Sequence, residues 1–282
     1  MDKLAYAVVS RYKSKVKTEA GNTVYTYSAR QIANRNKKKA LRIEALRKSI
    51  GDLRRKVKRD LKSDDPEKSM VALAVALIDH TYERPGNKDS ADDREHYGVT
   101  GWKKKHVTFS GKGALIKYTG KAGVKHEKKV TDAAIKQALR EAYEACDKDS
   151  ANLFSGDWGT VTADKVNEYL EPFDITAKDL RGFHANREMQ ERLRTTRSEG
   201  DKLPSDKKAA AKILKAEFLK ALEETAEAVG HEPSTLRSQY LLPGIEEQYM
   251  KNGTVSSKLS SLFEENGLLE DRVLARHLLE LL

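Results

Sequence analysis

A histidine and a tyrosine stand nine positions apart in Val229-Gly-His-Glu-Pro-Ser-Thr-Leu-Arg-Ser-Gln-Tyr240. Pro233 suits the first turn of a helix, so His231-Glu-Pro reads as the loop leading in. That helix would present Arg237 and Tyr240, three positions apart, on one face. An unperturbed phenol, with a pKa of about 10, is a poor nucleophile at neutral pH. It becomes useful where cations wait to stabilise the charge that develops on its target. The rest of the chain reads as the supplier of those cations.

Composition agrees with such a task. The chain has 282 residues, 34% of them charged, with a net charge of +10 and a pI near 9.4. The length allows one large or two modest domains with a real core. The charge favours a polyanionic partner, nucleic acid ahead of a membrane surface, against the plainer alternative of a well-solvated basic exterior. A single cysteine, Cys146, excludes an internal disulfide and fits a reducing, intracellular compartment. No apolar run is long enough to span a membrane, and the first residues lack the apolar core of a signal peptide. No metal-ligand spacing and no Gly-Lys-Ser/Thr phosphate loop is visible, so neither a metal nor a nucleotide cofactor is expected.

The positioning elements follow from local patterns. Residues 4–9 and 23–27 are β-like, with a turn at 20–22, and predict one hairpin. Ser28 caps a helix carrying Arg30, Arg35, Lys37, Lys38 and Lys39, which suits either a solvated face or a phosphate-binding edge. Leu46, Ile50, Leu53, Val57 and Leu61 recur at helical spacing. Residues 70–78 are apolar nearly all round and mark a central helix. Arg84 follows on a loop containing Pro85 and Gly86, where a fixed functional cation would stand, although an ordinary surface arginine fits too. Residues 105–109, 115–119 and 124–130 read as three antiparallel strands, with glycines at both turns and Lys121 at the second tip. Helical patterns return at 132–146 and 162–170, and Thr176 caps another helix that turns Leu180 and Phe183 inward. Residues 187–208 read as an exposed, charged connection, 209–229 as an Ala/Leu-rich helix, and 254–282 as two amphipathic segments.

Several stretches in this order resemble the type IB DNA topoisomerases of the compact poxvirus and bacterial kind. They are Leu77-Ile-Asp-His-Thr-Tyr-Glu-Arg-Pro-Gly-Asn87, His96-Tyr-Gly-Val-Thr100 running into Lys105-His-Val, and Tyr118-Thr-Gly-Lys-Ala-Gly-Val-Lys-His126. Lys178-Asp-Leu-Arg181 with Asn186, and Val229-Gly-His-Glu-Pro with Tyr240, complete the set, from about residue 40 to about residue 250. The resemblance implies an α+β, mainly α, fold: a helical tyrosine-recombinase-like catalytic domain with a small three-stranded antiparallel sheet. It implies that Tyr240 attacks a DNA phosphate and is joined to the 3′-phosphate, releasing a 5′-hydroxyl. Arg84 and Arg181 would hold the non-bridging oxygens, His231 would donate to one of them, and Lys121 would protonate the leaving oxygen. Lys178 would assist that transfer and Asn186 would orient the site. Lys103, Lys104, Lys105, His106, Lys117, Lys125 and Arg237 are the candidate contacts to duplex DNA. A monomer acting without cofactor is expected.

Three departures bear on this expectation. Pro85 stands where the family has a branched or aromatic apolar residue, and it restricts the backbone of Arg84. Gly101-Trp102 replaces a usual Thr-Leu. Residues 1–40 hold only a hairpin and a basic helix before a catalytic domain at 41–250 and an extension at 251–282, which predicts a reduced clamp on DNA. A tyrosine recombinase is the nearest rival, but such enzymes carry a histidine three positions before the second arginine, where this chain has Lys178. A non-catalytic DNA-binding module has no need of a reactive tyrosine beside a histidine.

Overall fold

A computed structural model describes residues 14–17, 23–86, 96–111, 113–120, 123–197 and 201–256. Strands β1 (Ser14–Lys17) and β2 (Thr23–Thr26) pair antiparallel, with Val16 opposite Val24. The expected hairpin thus has 23–26 as one arm, but the arm paired with it is 14–17; residues 4–9 and the turn at 20–22 lie outside the described residues. Helix α1 (Ala29–Asp60) is one continuous rod of 32 residues, running through the position between residues 40 and 41 where the sequence suggested a boundary. Ser28 caps it as expected, its hydroxyl accepting from Gln31 N while the Gln31 side chain accepts from Ser28 N.

Helix α2 (Pro66–Thr81) starts on Asp65, whose carboxylate accepts from Lys68 N. Every residue from Val71 to Ile78 is buried, so this is the central helix that its all-round apolar sequence predicts. Around it pack α1, the three-stranded sheet, α3 (Ala133–Glu144), α4 (Ala163–Leu170) and α5 (Ala177–Thr195). The sheet has the order β3 (Val107–Ser110), β4 (Gly113–Thr119), β5 (Lys125–Val130), antiparallel throughout. A second, two-stranded hairpin pairs Ser155–Gly156 with Gly159–Thr160. Helix α6 (Lys207–Val229) packs on α5 and leads to a short turn, α7 (Pro233–Thr235), and to α8 (Ile245–Asn252). The mainly helical fold with a small three-stranded antiparallel sheet is as expected. Among the described residues no helix is long and apolar enough to cross a membrane.

One stretch differs from its sequence reading. Residues 187–195 are not a loose connection but the second half of α5, in which Met189, Gln190 and Leu193 are buried. The charges that suggest mobility are spaced for pairing along the exposed face, as in Glu188 with Arg192 at 3.6 Å and Glu191 with Arg194 at 3.6 Å. Apolar positions every three to four residues decide the outcome, and the charges decorate it.

A polar knot ties α1, α2 and α5 together beneath the site. Asp79 accepts from Arg54 Nε at 2.7 Å and lies 2.6 Å from His184 Nε2. Burial alone would raise the Asp79 pKa, but the hydrogen bonds from His184 and Arg54 bring it down to about 2. Burial also lowers the pKa of His184, favouring a neutral ring that donates to the carboxylate. The His184 ring in turn stacks on Tyr82, centroids 4.3 Å apart. Because the folded Asp79 pKa lies below the unfolded one, its stabilisation is present above about pH 4 and is lost as pH falls toward 2. The stability gap between wild type and Asp79→Asn, measured by urea unfolding, is expected to narrow by up to about 2 kcal/mol as pH is lowered from about 5 to about 2.5. A gap independent of pH would mean that the Asp79 carboxylate is not held in this way.

Candidate active site

Tyr240 ends a helical segment whose last five residues, Leu236–Tyr240, form a π turn closed by Leu241 N donating to Leu236 O at 3.0 Å. The wider turn separates the two residues expected on one face. Tyr240 points inward and is 8% exposed, while Arg237 points outward and makes two hydrogen bonds, of 2.8 and 2.7 Å, to Glu246. Asn186 grips the tyrosine's backbone. Its amide donates to Tyr240 O at 2.9 Å and its carbonyl oxygen accepts from Leu242 N at 2.8 Å. On the opposite side Lys39 Nζ donates to Leu241 O at 2.7 Å.

Arg181 stands one turn into α5, behind the reciprocal cap of Thr176 and Asp179. It is 8% exposed, and its Nε donates to Tyr82 O at 2.7 Å. Tyr82 adopts a left-handed backbone, φ 63°, at the end of α2, which turns that carbonyl toward the guanidinium. A second nitrogen lies 3.5 Å from Val229 O, and NH1 reaches the Tyr240 hydroxyl at 3.4 Å.

His231 follows Gly230, whose left-handed backbone, φ 67°, caps α6. Its ring lies 4.2 Å from the Tyr240 ring, centroid to centroid. Its Nε2 is buried and has no hydrogen-bond partner. Burial, then the nearby Arg181 charge, pushes its pKa down to about 3, so the ring is neutral at physiological pH. A neutral imidazole with an unpartnered nitrogen is suited to donate one hydrogen bond to an arriving oxygen.

Arg84 is held by a short ladder. Val99 N donates to Arg84 O at 3.0 Å and Thr100 N to Pro85 O at 2.7 Å. Only carbonyls of residues 84 and 85 are used, so Pro85 sacrifices no donor. Gly98 permits the approach, since a Cβ there would lie 2.8 Å from Arg84 O. The guanidinium donates to Tyr97 O at 3.2 Å. Burial lowers its pKa, and Glu83, Tyr118, Arg181 and Tyr240 are all near enough to act on it.

The structure therefore gathers Arg84, Arg181, His231 and Tyr240, with Asn186 behind them and Lys178 Nζ 5.7 Å from the Tyr240 ring centroid. Lys121, expected at a hairpin tip, lies outside the described residues. The wider set of DNA contacts is mixed. Lys105 and Lys125 are exposed. Lys117 is exposed but pairs with Glu127 at 3.0 Å. Lys103 lies over the Tyr97 ring at 5.2 Å, and Lys104 donates to Cys146 O at 2.6 Å. His106 is buried at 8% exposure, its Nδ1 accepting from Lys103 N at 3.0 Å. It braces the loop before β3. Arg237 is committed to Glu246. Sequence shows each charge but not the carboxylate or carbonyl beside it.

Sequence reading also missed the layer beneath. Glu83, 3% exposed, lies 3.2 Å from Lys128 Nζ and 3.3 Å from His126 Nδ1. The cations lower the Glu83 pKa although burial would raise it. The signal available was a pair of glycines. A Cβ on Gly120 would lie 2.5 Å from the His126 ring and one on Gly230 would lie 3.1 Å from it, so both leave room for that histidine.

A family model described as eukaryotic DNA topoisomerase I, catalytic core, matches residues 15–261. DNA topoisomerase I of Monkeypox virus is 27% identical over 250 residues, covering 87% of this chain and 74% of the viral protein. DNA topoisomerase 1B of Vaccinia virus (strain Copenhagen) is 26% identical over 250 residues with the same coverage, 87% and 74%. Among solved structures, XerH site-specific recombinase bound to palindromic difH substrate, in a post-cleavage complex, aligns with a TM-score of 0.41 and 15% identity. That alignment covers 84% of this chain but 52% of the recombinase, about half its length. The chain belongs to the type IB DNA topoisomerase family, whose catalytic core matches residues 15–261.

Proposed function

We propose that this chain cleaves and rejoins one strand of duplex DNA through Tyr240 and so relaxes supercoils. The observation that carries this reading is the contact of Tyr240 with Arg181 at 3.4 Å and with the His231 ring at 4.2 Å, with Arg84 near enough to act on both Arg181 and Tyr240. The Tyr240 hydroxyl attacks phosphorus and gives up its proton to water. The bond to the 5′-oxygen breaks, and Lys121 supplies the proton that oxygen needs. Arg181 and Arg84 take the non-bridging oxygens, because a planar fork makes paired, charge-assisted hydrogen bonds to phosphate. Neutral His231 donates one more hydrogen bond. One phosphodiester replaces another, so no ATP is required, and religation retraces the same path. The family's chemistry on DNA gives the chain an intracellular site of action, as a monomer without metal.

Negatively supercoiled plasmid, without ATP and with excess chelator, tests the reading. The wild-type chain is expected to relax it and, on denaturation, to remain attached to 3′ ends. Tyr240→Phe is expected to bind DNA and do neither. Covalent trapping on selected sequences without relaxation would instead indicate site-specific nicking and joining.

The role of His231 has its own test. His231→Ala is expected to lose about two to three decades in cleavage rate, as for removal of one transition-state donor. His231→Gln, which keeps an N–H, is expected to retain most of the activity. Between about pH 5 and pH 8 the wild-type rate is expected to show no ionisation that His231→Gln removes, because the ring stays neutral down to about pH 3. An ionisation near pH 6.5 that vanished in His231→Gln would assign the ring a charged role. For Lys121, replacing the leaving 5′-oxygen by sulfur is expected to restore cleavage to Lys121→Ala, since a thiolate leaves without a proton. No rescue would remove Lys121 from the role of general acid.

A further inference from the structure

The N-terminal half of α1 does not merely present charge to solvent. Arg35, Lys38, Lys39 and Arg42 turn toward the first turn of α5, where Lys178 stands, and together they line a cleft of about 290 Å³ that reaches Tyr240. One carboxylate lines it, Asp179. That carboxylate is already engaged, accepting from Thr176 N at 2.9 Å and lying 3.5 Å from Arg42. Lys39 is spent on backbone carbonyls, and the Arg35 guanidinium lies over the Tyr27 ring at 4.8 Å. Among the described residues no carboxylate lies within salt-bridge distance of Arg35, Lys38 or Lys178.

We propose that this cleft is a phosphate subsite, which receives backbone phosphates of the strand that Tyr240 attacks, next to the scissile one. The proposal rests on the reading of Tyr240 as the nucleophile toward DNA. A solvated face would scatter its cations outward along the helix, whereas here they converge on a concavity that reaches the nucleophile. The scissile phosphate has its own cations, Arg84 and Arg181, so the cleft serves a different phosphate. Burial, and then the charges of Lys178 and Arg35, bring the Lys39 pKa down to about 8. A phosphate in the cleft would offset those charges. Such a subsite also gives α1 a direct part in aligning the strand, because Lys39 already anchors the backbone beside Tyr240.

The test compares three chains in the Tyr240→Phe background, so that binding is read without cleavage. They are the parent, Arg35→Ala/Lys38→Ala, and a control with the same loss of charge on exposed α6 positions, Lys212→Ala/Lys220→Ala. Alanine is favourable at helical sites, and circular dichroism checks that α1 is intact. Affinity for a fluorescent duplex is measured against salt by anisotropy. Each lost phosphate contact should reduce the slope of log K against log salt by about 0.9, so the cleft variant is expected to lose about two units. The control is expected to lose none. Equal slopes in all three chains, or equal losses in the two variants, would overturn the subsite. The wild-type chain is assayed in parallel for a covalent adduct. An adduct with unchanged slopes sinks the subsite alone, no adduct with the expected slope loss sinks the cleavage reading alone, and absence of any binding sinks both.

Discussion

The site depends on one buried cation with an unfinished set of partners. Arg181 is 8% exposed, yet its partners are two backbone carbonyls and a phenol, with no carboxylate in salt-bridge range among the described residues. Leaving a charge in that condition is costly, since a buried ion normally needs a counter-ion or a metal. The fold tolerates it because three elements converge on the guanidinium: the left-handed end of α2 at Tyr82, the end of α6 at Val229, and the π turn at Tyr240. An anion arriving at this place meets a cation largely shielded from water. Its attraction to the arginine is then felt at low dielectric, where it is strongest.

The layer below explains why such a concentration of positive charge holds together. Glu83 is the adjacent acid, and it faces Lys128 and His126 on β5 rather than the arginines' open side. It lowers the field around Arg84 and Arg181 from behind. The same carboxylate joins the loop carrying Arg84 to β5.

Legibility in the sequence follows the range of the interactions. The sheet order, the cap at Thr176, the buried run at 71–78 and the placement of Arg84 after α2 were readable, because each depends on residues a few positions apart. The partner of β2 was not: the residues at 14–17 are less β-like than those at 4–9, and pairing is decided by the opposite strand. Of the site, Arg84, Arg181, His231, Tyr240 and Asn186 are all brought together, but through contacts the sequence does not display. His106 looked like one more basic contact before a strand, until Tyr97 and Lys103 were seen to enclose it. Arg237 was expected on the same face as Tyr240 from their spacing, and the spacing misled because the turn between them is π rather than α. No residue type announces an i to i+5 hydrogen bond, and only the tertiary clamps make it worthwhile.

Those clamps account for the turn. A π segment gives up favourable helical geometry and is retained where it places a side chain that an α-helix would misdirect. Here Asn186 takes the carbonyl of Tyr240 and the amide of Leu242, and Lys39 takes the carbonyls of Gln239 and Leu241. Four consecutive residues are thus fixed through their backbone by two separate helices, α5 and α1. Few freedoms remain beyond the torsions of the phenol itself, already beside Arg181 and His231. In the reaction proposed for Tyr240, the entropy of ordering the phenol is thereby borne in folding, before any phosphate arrives.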